Sequence, residues 1–260
     1  MKKAKPIVIA NWKLNGGNHL LMSSLSSLLN LAKNEKLNNI EMAICPPYIY
    51  LRELFSYFNN SEISVGAQDV SRFDSGSYTG DVSASMLNEA GCDICIVGHS
   101  ERRIYHQESN DDCQVKISHL LAQDVLPVLC VGENQMEYDA GLTKKVILRQ
   151  LTQSLQGINL TAEQNLYIAY EPVYAIGTNK AATPEDVQEV HAYIREILAD
   201  IFDQERANAI SILYGGSVNR SNAKQFVDKP DVEGLLVGKA SLDPEHFIDI
   251  CHAVMKPVGA

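Results

Sequence analysis

The chain has 260 residues, 45% hydrophobic and 21% charged, enough for one large α/β core or two small ones. A formal charge of −10 argues against nucleic acid or an anionic membrane surface as a partner. No apolar run approaches the length of a membrane span, and the one behind the basic start is too short for a signal peptide, so a soluble, cytoplasmic protein is expected.

The first strand candidate, Ile7–Ala10, runs into Asn11, Trp12 and Lys13. Further strand candidates are Ile40–Cys45, Ile63–Ala67, Asp93–Val97, Leu126–Val131, Leu166–Tyr170, Ile210–Tyr214 and Gly234–Val237. Helical patterns lie between them, at 18–33, 48–58, 83–90, 109–124, 142–156, 184–202, 219–228 and 244–254. The strand runs are nearly unbroken in apolar residues, as parallel strands buried on both faces require. About eight strand–helix units in this length predict an α/β fold, a (β/α)8 barrel formed as a single domain over 1–260. On the pattern alone, a doubly wound open sheet is the alternative.

The polar residues that follow the strands are the informative ones. Lys13 follows the first, Gln68 the third, and Gly98-His99-Ser100-Glu101-Arg102-Arg103 the fourth. The sixth ends at Glu171, where Pro172 stops it and a short irregular segment leads to a helix opening at Thr183-Pro184. The seventh and eighth end at Gly215-Gly216-Ser217 and Gly238-Lys239. In a barrel all of these meet on the one rim that carries chemistry. Taken singly, Lys13 reads as a solvated lysine, His99 as a helix cap, Glu171 as one half of an ion pair and the glycines as turns. Taken together, they supply a base, an electrophile, a cation and two backbone sites for an anion, with helix starts expected near 218 and 239.

That set suggests proton abstraction next to a carbonyl. Glu171 is the expected base, His99 the expected donor to the carbonyl oxygen, and Lys13 and Asn11 further donors to the same oxygen. No cofactor is needed for an enediolate held by fixed donors. Cys92 and Cys95 form a C-x-x-C, but one of the pair lies within a strand and no second pair exists. Reduced core thiols and no metal are expected.

The segments Ala10-Asn11-Trp12-Lys13, Val97-Gly98-His99-Ser100-Glu101-Arg102-Arg103, Cys130-Val131-Gly132-Glu133, Ala169-Tyr170-Glu171-Pro172-Val173, Ala175-Ile176-Gly177-Thr178 and Tyr214-Gly215-Gly216-Ser217-Val218 together resemble the triosephosphate isomerase family over nearly the whole length. The resemblance implies a TIM barrel that interconverts dihydroxyacetone phosphate and D-glyceraldehyde 3-phosphate in glycolysis and gluconeogenesis. It implies a cytoplasmic homodimer without a cofactor. It also implies Glu171 as base, a neutral His99 as electrophile, and Asn11 and Lys13 as the substrate-binding pair. The phosphate falls to Gly177, Ser217, Gly238 and Lys239, with Ser100, Glu101 and Thr79 in support.

Three positions depart from the family pattern: Tyr174 replaces a tryptophan, Asn179 a glycine, and Lys239 a second glycine. Glu133 is an expected partner for Tyr174. The long segment from Gln68 to Asp81 carries Phe73 and Tyr78, which a solvated loop has little reason to expose. The resemblance implies that this loop enters a neighbouring subunit and brings Thr79 near the partner's Asn11 and Lys13.

Overall fold

The computed structural model describes residues 5–17, 25–30, 37, 39–175 and 182–255. Its strands are β1 (Ile7–Asn11), β2 (Glu41–Cys45), β3 (Ile63–Ala67), β4 (Ile94–Val97), β5 (Leu126–Val131), β6 (Tyr167–Tyr170), β7 (Ser211–Tyr214) and β8 (Gly234–Val237). Each pairs in parallel with the next, and β8 returns to β1, so the sheet is a closed barrel. The open sheet is thereby excluded.

Alternation along the strands decides what the barrel presents at its rim. Side chains of one parity form an inner cluster that includes Ile7, Ile9, Ile94, Ile96, Val128, Cys130, Tyr167 and Ala169. Those of the other parity, among them Val8, Ala10, Val97, Leu129, Ile168 and Tyr170, pack outward against the helices. Both faces are therefore apolar, which is why the strands read as continuous runs. Carried one step past the last inner residue, the same parity places Asn11 on β1 and Glu171 after β6 at the top of the barrel interior. Both are buried, at 4% and 2% exposure.

Helices cover the outside. The chain is helical at residues 25–30 (α1), and the remainder of the predicted 18–33 helix lies outside the described residues. Then come α2 (Leu51–Phe58), α3 (Ala84–Glu89), α4 (Ser100–Tyr105), α5 (Asn110–Ala122), α6 (Gln135–Asp139), α7 (Thr143–Ser154), α8 (Pro184–Ile201), α9 (Gln204–Ala209), α10 (Ala223–Val227) and α11 (Pro244–Val254). The predicted start of α8 holds: Thr183 caps it by accepting from the Asp186 N–H, with Pro184 in the first turn.

Two expectations fail. The helix predicted at 219–228 is only α10, and no helix starts near 218. Asn222 Oδ1 accepts the Asn219 N–H at 2.8 Å and Ser221 also bonds Asn219, so local side-chain bonds hold a turn there in place of a helix. At 239 the chain forms a short 3-10 turn, Lys239–Leu242, instead of an α-helix. The short helices α6 and α9 went unpredicted because neither is long enough to show a period.

All six cysteines are buried free thiols. Burial pushes the thiols of Cys92 and Cys113 up to about 12, far from the range of a reactive thiolate.

Candidate active site

At the C-terminal rim, Asn11, Lys13, His99, Glu171, Ser217, Gly238 and Lys239 line one cavity of about 280 Å³. Ser100 and Glu101 flank it through bonds to Glu171 and Lys13. Thr79 sits in the exposed part of the 68–83 loop and does not reach this cavity within its own chain. Gly177 and Asn179 lie outside the described residues.

Glu171 is held from its backbone outward. Its N–H donates to the Val131 carbonyl at 2.8 Å, extending the β5–β6 ladder one residue past the strands. Its own carbonyl lies against Gly132 so closely that a Cβ there would overlap the Glu171 oxygen. Only glycine fits at 132. Val173 then donates to the Glu133 carbonyl at 3.1 Å, and Tyr174 stacks on Tyr138 with ring centroids 3.7 Å apart. Glu133, the expected partner of Tyr174, accepts from the Tyr170 hydroxyl at 3.0 Å and from Thr143 at 3.2 Å.

The carboxylate of Glu171 meets His99 and Ser100. Oε1 lies 3.0 Å from His99 Nε2, and Oε2 accepts the Ser100 N–H at 2.9 Å. Burial opposes its charge, but His99 and the Ser100 N–H outweigh burial and hold the carboxyl below its ordinary value. A carboxyl held below its ordinary value is ionised at neutral pH.

His99 caps α4, as the sequence predicts. Its Nδ1 accepts the Glu101 N–H at 3.3 Å, so the proton of the neutral ring sits on Nε2, facing Glu171. Burial lowers the imidazole pKa, yet the adjacent Glu171 carboxylate more than offsets this and leaves it raised.

The loop after β1 is fixed with equal care. Lys13 adopts a left-handed backbone, φ 51°, rare for a residue with a side chain. Its N–H donates to Asn11 Oδ1 at 3.0 Å, and its carbonyl accepts from Gln68 Nε2 at 2.9 Å. Gln68 also donates to the Cys45 carbonyl at 2.9 Å, tying β1, β2 and β3 together at this level. The ammonium of Lys13 meets Glu101 at 2.7 Å. Across the cavity, the turns after β7 and β8 bring backbone to the surface, while the Lys239 side chain is exposed to solvent.

Sequence reasoning missed the anchor beneath α4. Glu108 accepts the Gly98 N–H at 2.9 Å, Arg102 Nε at 2.6 Å and Lys116 Nζ at 3.0 Å. Asp69 joins both cations, at 2.8 Å and 2.7 Å. Gly98 itself turns with φ 68°, and a Cβ on it would meet Cys113 Sγ at 2.7 Å. These contacts span several elements, and no local sequence signal marks Glu108.

A family model described as triosephosphate isomerase matches residues 6–254. The chain belongs to the triosephosphate isomerase family. It is 44% identical over 251 residues to the triosephosphate isomerase of Baumannia cicadellinicola subsp. Homalodisca coagulata, covering 96% of this chain and 97% of that one. It is 43% identical over 248 residues to that of Photorhabdus laumondii, covering 95% and 96%. The crystal structure of triosephosphate isomerase from Bartonella henselae superposes with a TM-score of 0.87 at 36% identity, over 97% of this chain and 100% of that one. The function inferred from the rim residues and the family thus agree, and the chain is an aldose–ketose isomerase of triose phosphates.

Because Glu171 is what raises the pKa of His99, Glu171→Gln should lower it, leaving burial and Lys13 to disfavour the cation. Nitrogen NMR titration of ring-labelled protein reads this directly. An imidazole pKa that stays put or rises in the variant would contradict the pairing.

Proposed function

We propose that Glu171 takes a carbon-bound proton from the triose phosphate and returns it to the neighbouring carbon. The observation that carries this is a buried carboxylate 3.0 Å from an imidazole nitrogen, in a cavity with backbone turns on its far wall. When substrate enters, Glu171 turns from His99 to the carbon acid. His99 Nε2–H is then free to donate to the carbonyl oxygen as charge develops on it. With the carboxylate withdrawn, burial and Lys13 favour the neutral ring. Lys13 and Asn11 stabilise the same enediolate oxygen, and Glu101 and Ser100 hold the lysine and the resting base. The phosphate is bound by backbone at Gly177, Ser217, Gly238 and Lys239, with no metal or organic cofactor. The reaction serves glycolysis and gluconeogenesis in the cytoplasm.

The test is Glu171→Asp in a coupled assay with glyceraldehyde 3-phosphate. Withdrawing the acid by one methylene, roughly 1 Å, should lower kcat on the order of a hundredfold with a smaller change in KM. Near-normal kcat would remove Glu171 from the chemistry.

The same reading includes a homodimer. A second cavity of about 590 Å³ opens on the other side of Lys13, sharing Asn11, Lys13 and His99 and bordered by Leu14, Tyr48 and Tyr105. Leu14 is 97% exposed and Tyr105 75%, unusual for residues next to a reacting centre. In the loop, Phe73 and Tyr78 stack 3.6 Å apart at an exposed tip. An apolar tip and an apolar-rimmed cavity on one chain are self-complementary, as an isologous dimer requires. Thr79 then lies near the partner's Asn11 and Lys13. Removing Arg72–Ser77 should give a folded monomer of much lower activity, followed by sedimentation and assay together. A shortened protein that stays dimeric, or a fully active monomer, would separate assembly from catalysis.

A further inference from the structure

Gly132 is the first residue past β5. The carbonyls of Val131 and Glu133 point to the β6 side, where they accept from Glu171 and Val173. Alternation therefore turns the N–H and C=O of Gly132 the other way, toward β4. No strand receives them there, because Gly98 leaves the strand direction with φ 68° and gives its N–H to Glu108. Gln150 of α7 takes the place of the strand. Its Oε1 accepts the Gly132 N–H at 2.8 Å and its Nε2 donates to the Gly132 carbonyl at 3.1 Å. The side chain is buried, so both bonds replace contacts that water cannot supply.

We propose that Gln150, which touches neither the cavity at Lys13 nor the carboxylate of Glu171, is a positioning residue for the isomerisation. It pins the glycine on which the carbonyl of the base lies. The Glu171 carbonyl packs on Gly132 where a side chain would otherwise stand, so a shift of that backbone is felt at Glu171. A displacement of about 1 Å in the base is worth on the order of a hundredfold in rate. The inference rests on the reading of Glu171 as base.

The experiment compares Gln150→Leu, Gln150→Glu, Glu171→Asp and Gln153→Leu in the intact protein, with kcat, KM and thermal melting for each. Gln153 lies one turn further along α7 and accepts from Asn110 at 2.7 Å, so its variant controls for loss of a polar group on this helix. Gln150→Leu should lower kcat by about tenfold or more with KM within about twofold, while Gln153→Leu keeps both. Gln150→Glu adds a readout that a purely structural role does not move. As a neutral acid its side chain can donate and accept as the amide does; as a carboxylate it cannot donate and faces the Gly132 carbonyl. Its kcat relative to the native protein should therefore recover severalfold as pH falls from about 9 to about 6. If Gln150→Leu fails to fold, this profile decides, and a flat ratio overturns the inference. A lowered melting temperature with unchanged kcat in Gln150→Leu also overturns it. Full activity in Glu171→Asp would instead overturn the base reading on which the inference rests, whatever Gln150→Leu does.

Discussion

The contact between the Glu171 carbonyl and the backbone of Gly132 is the constraint on which the site depends. It exists because β5 and β6 pair in parallel and their ladder runs one residue past each strand. Parity along β6 then fixes Glu171 as the next inward-facing residue above Tyr167 and Ala169. A barrel whose interior is filled with Ile, Val and Cys gives that carboxylate nowhere to go but the top of the core. Glu171 is thus placed by sheet geometry.

Burying a carboxylate costs several kcal/mol unless partners offset it. Here the offset comes from α4, through the imidazole of His99 and the N–H of Ser100. His99 caps and Ser100 opens a six-residue helix too short to be stable alone. It stands because Glu108, Arg102, Lys116 and Asp69 form a mostly buried network beneath it. The same helix carries Glu101, which steadies Lys13, so one anchored element orients Glu171, His99 and Lys13 together. In the resting pair, Glu171 and His99 satisfy each other. The proposed reaction requires substrate to separate them.

Much of this was legible in the residues. The eight strands appear at their predicted places because burial on both faces leaves an unmistakable apolar run in each. The rim residues were legible as polar groups at the ends of those runs. Their pairings were not. The turn at Asn219–Asn222, the Gly98–Glu108 bond and the Gly132–Gln150 pair depend on distances that only the closed barrel sets. Gln68 was visible as a rim residue, yet its work in holding the Lys13 and Cys45 carbonyls needs three strands in place at once. The carboxylate that raises the pKa of His99 was illegible for the same reason, since Glu171 comes from a different strand of the barrel.

The central claim is that Glu171 moves a carbon-bound proton within this cavity. The most direct measurement is proton NMR of dihydroxyacetone phosphate incubated with the protein in deuterium oxide. The account predicts deuterium entering at the carbon next to the carbonyl, and loss of that exchange in Glu171→Gln while inorganic phosphate still binds at the glycine turns. Exchange at the native rate in the variant would contradict it.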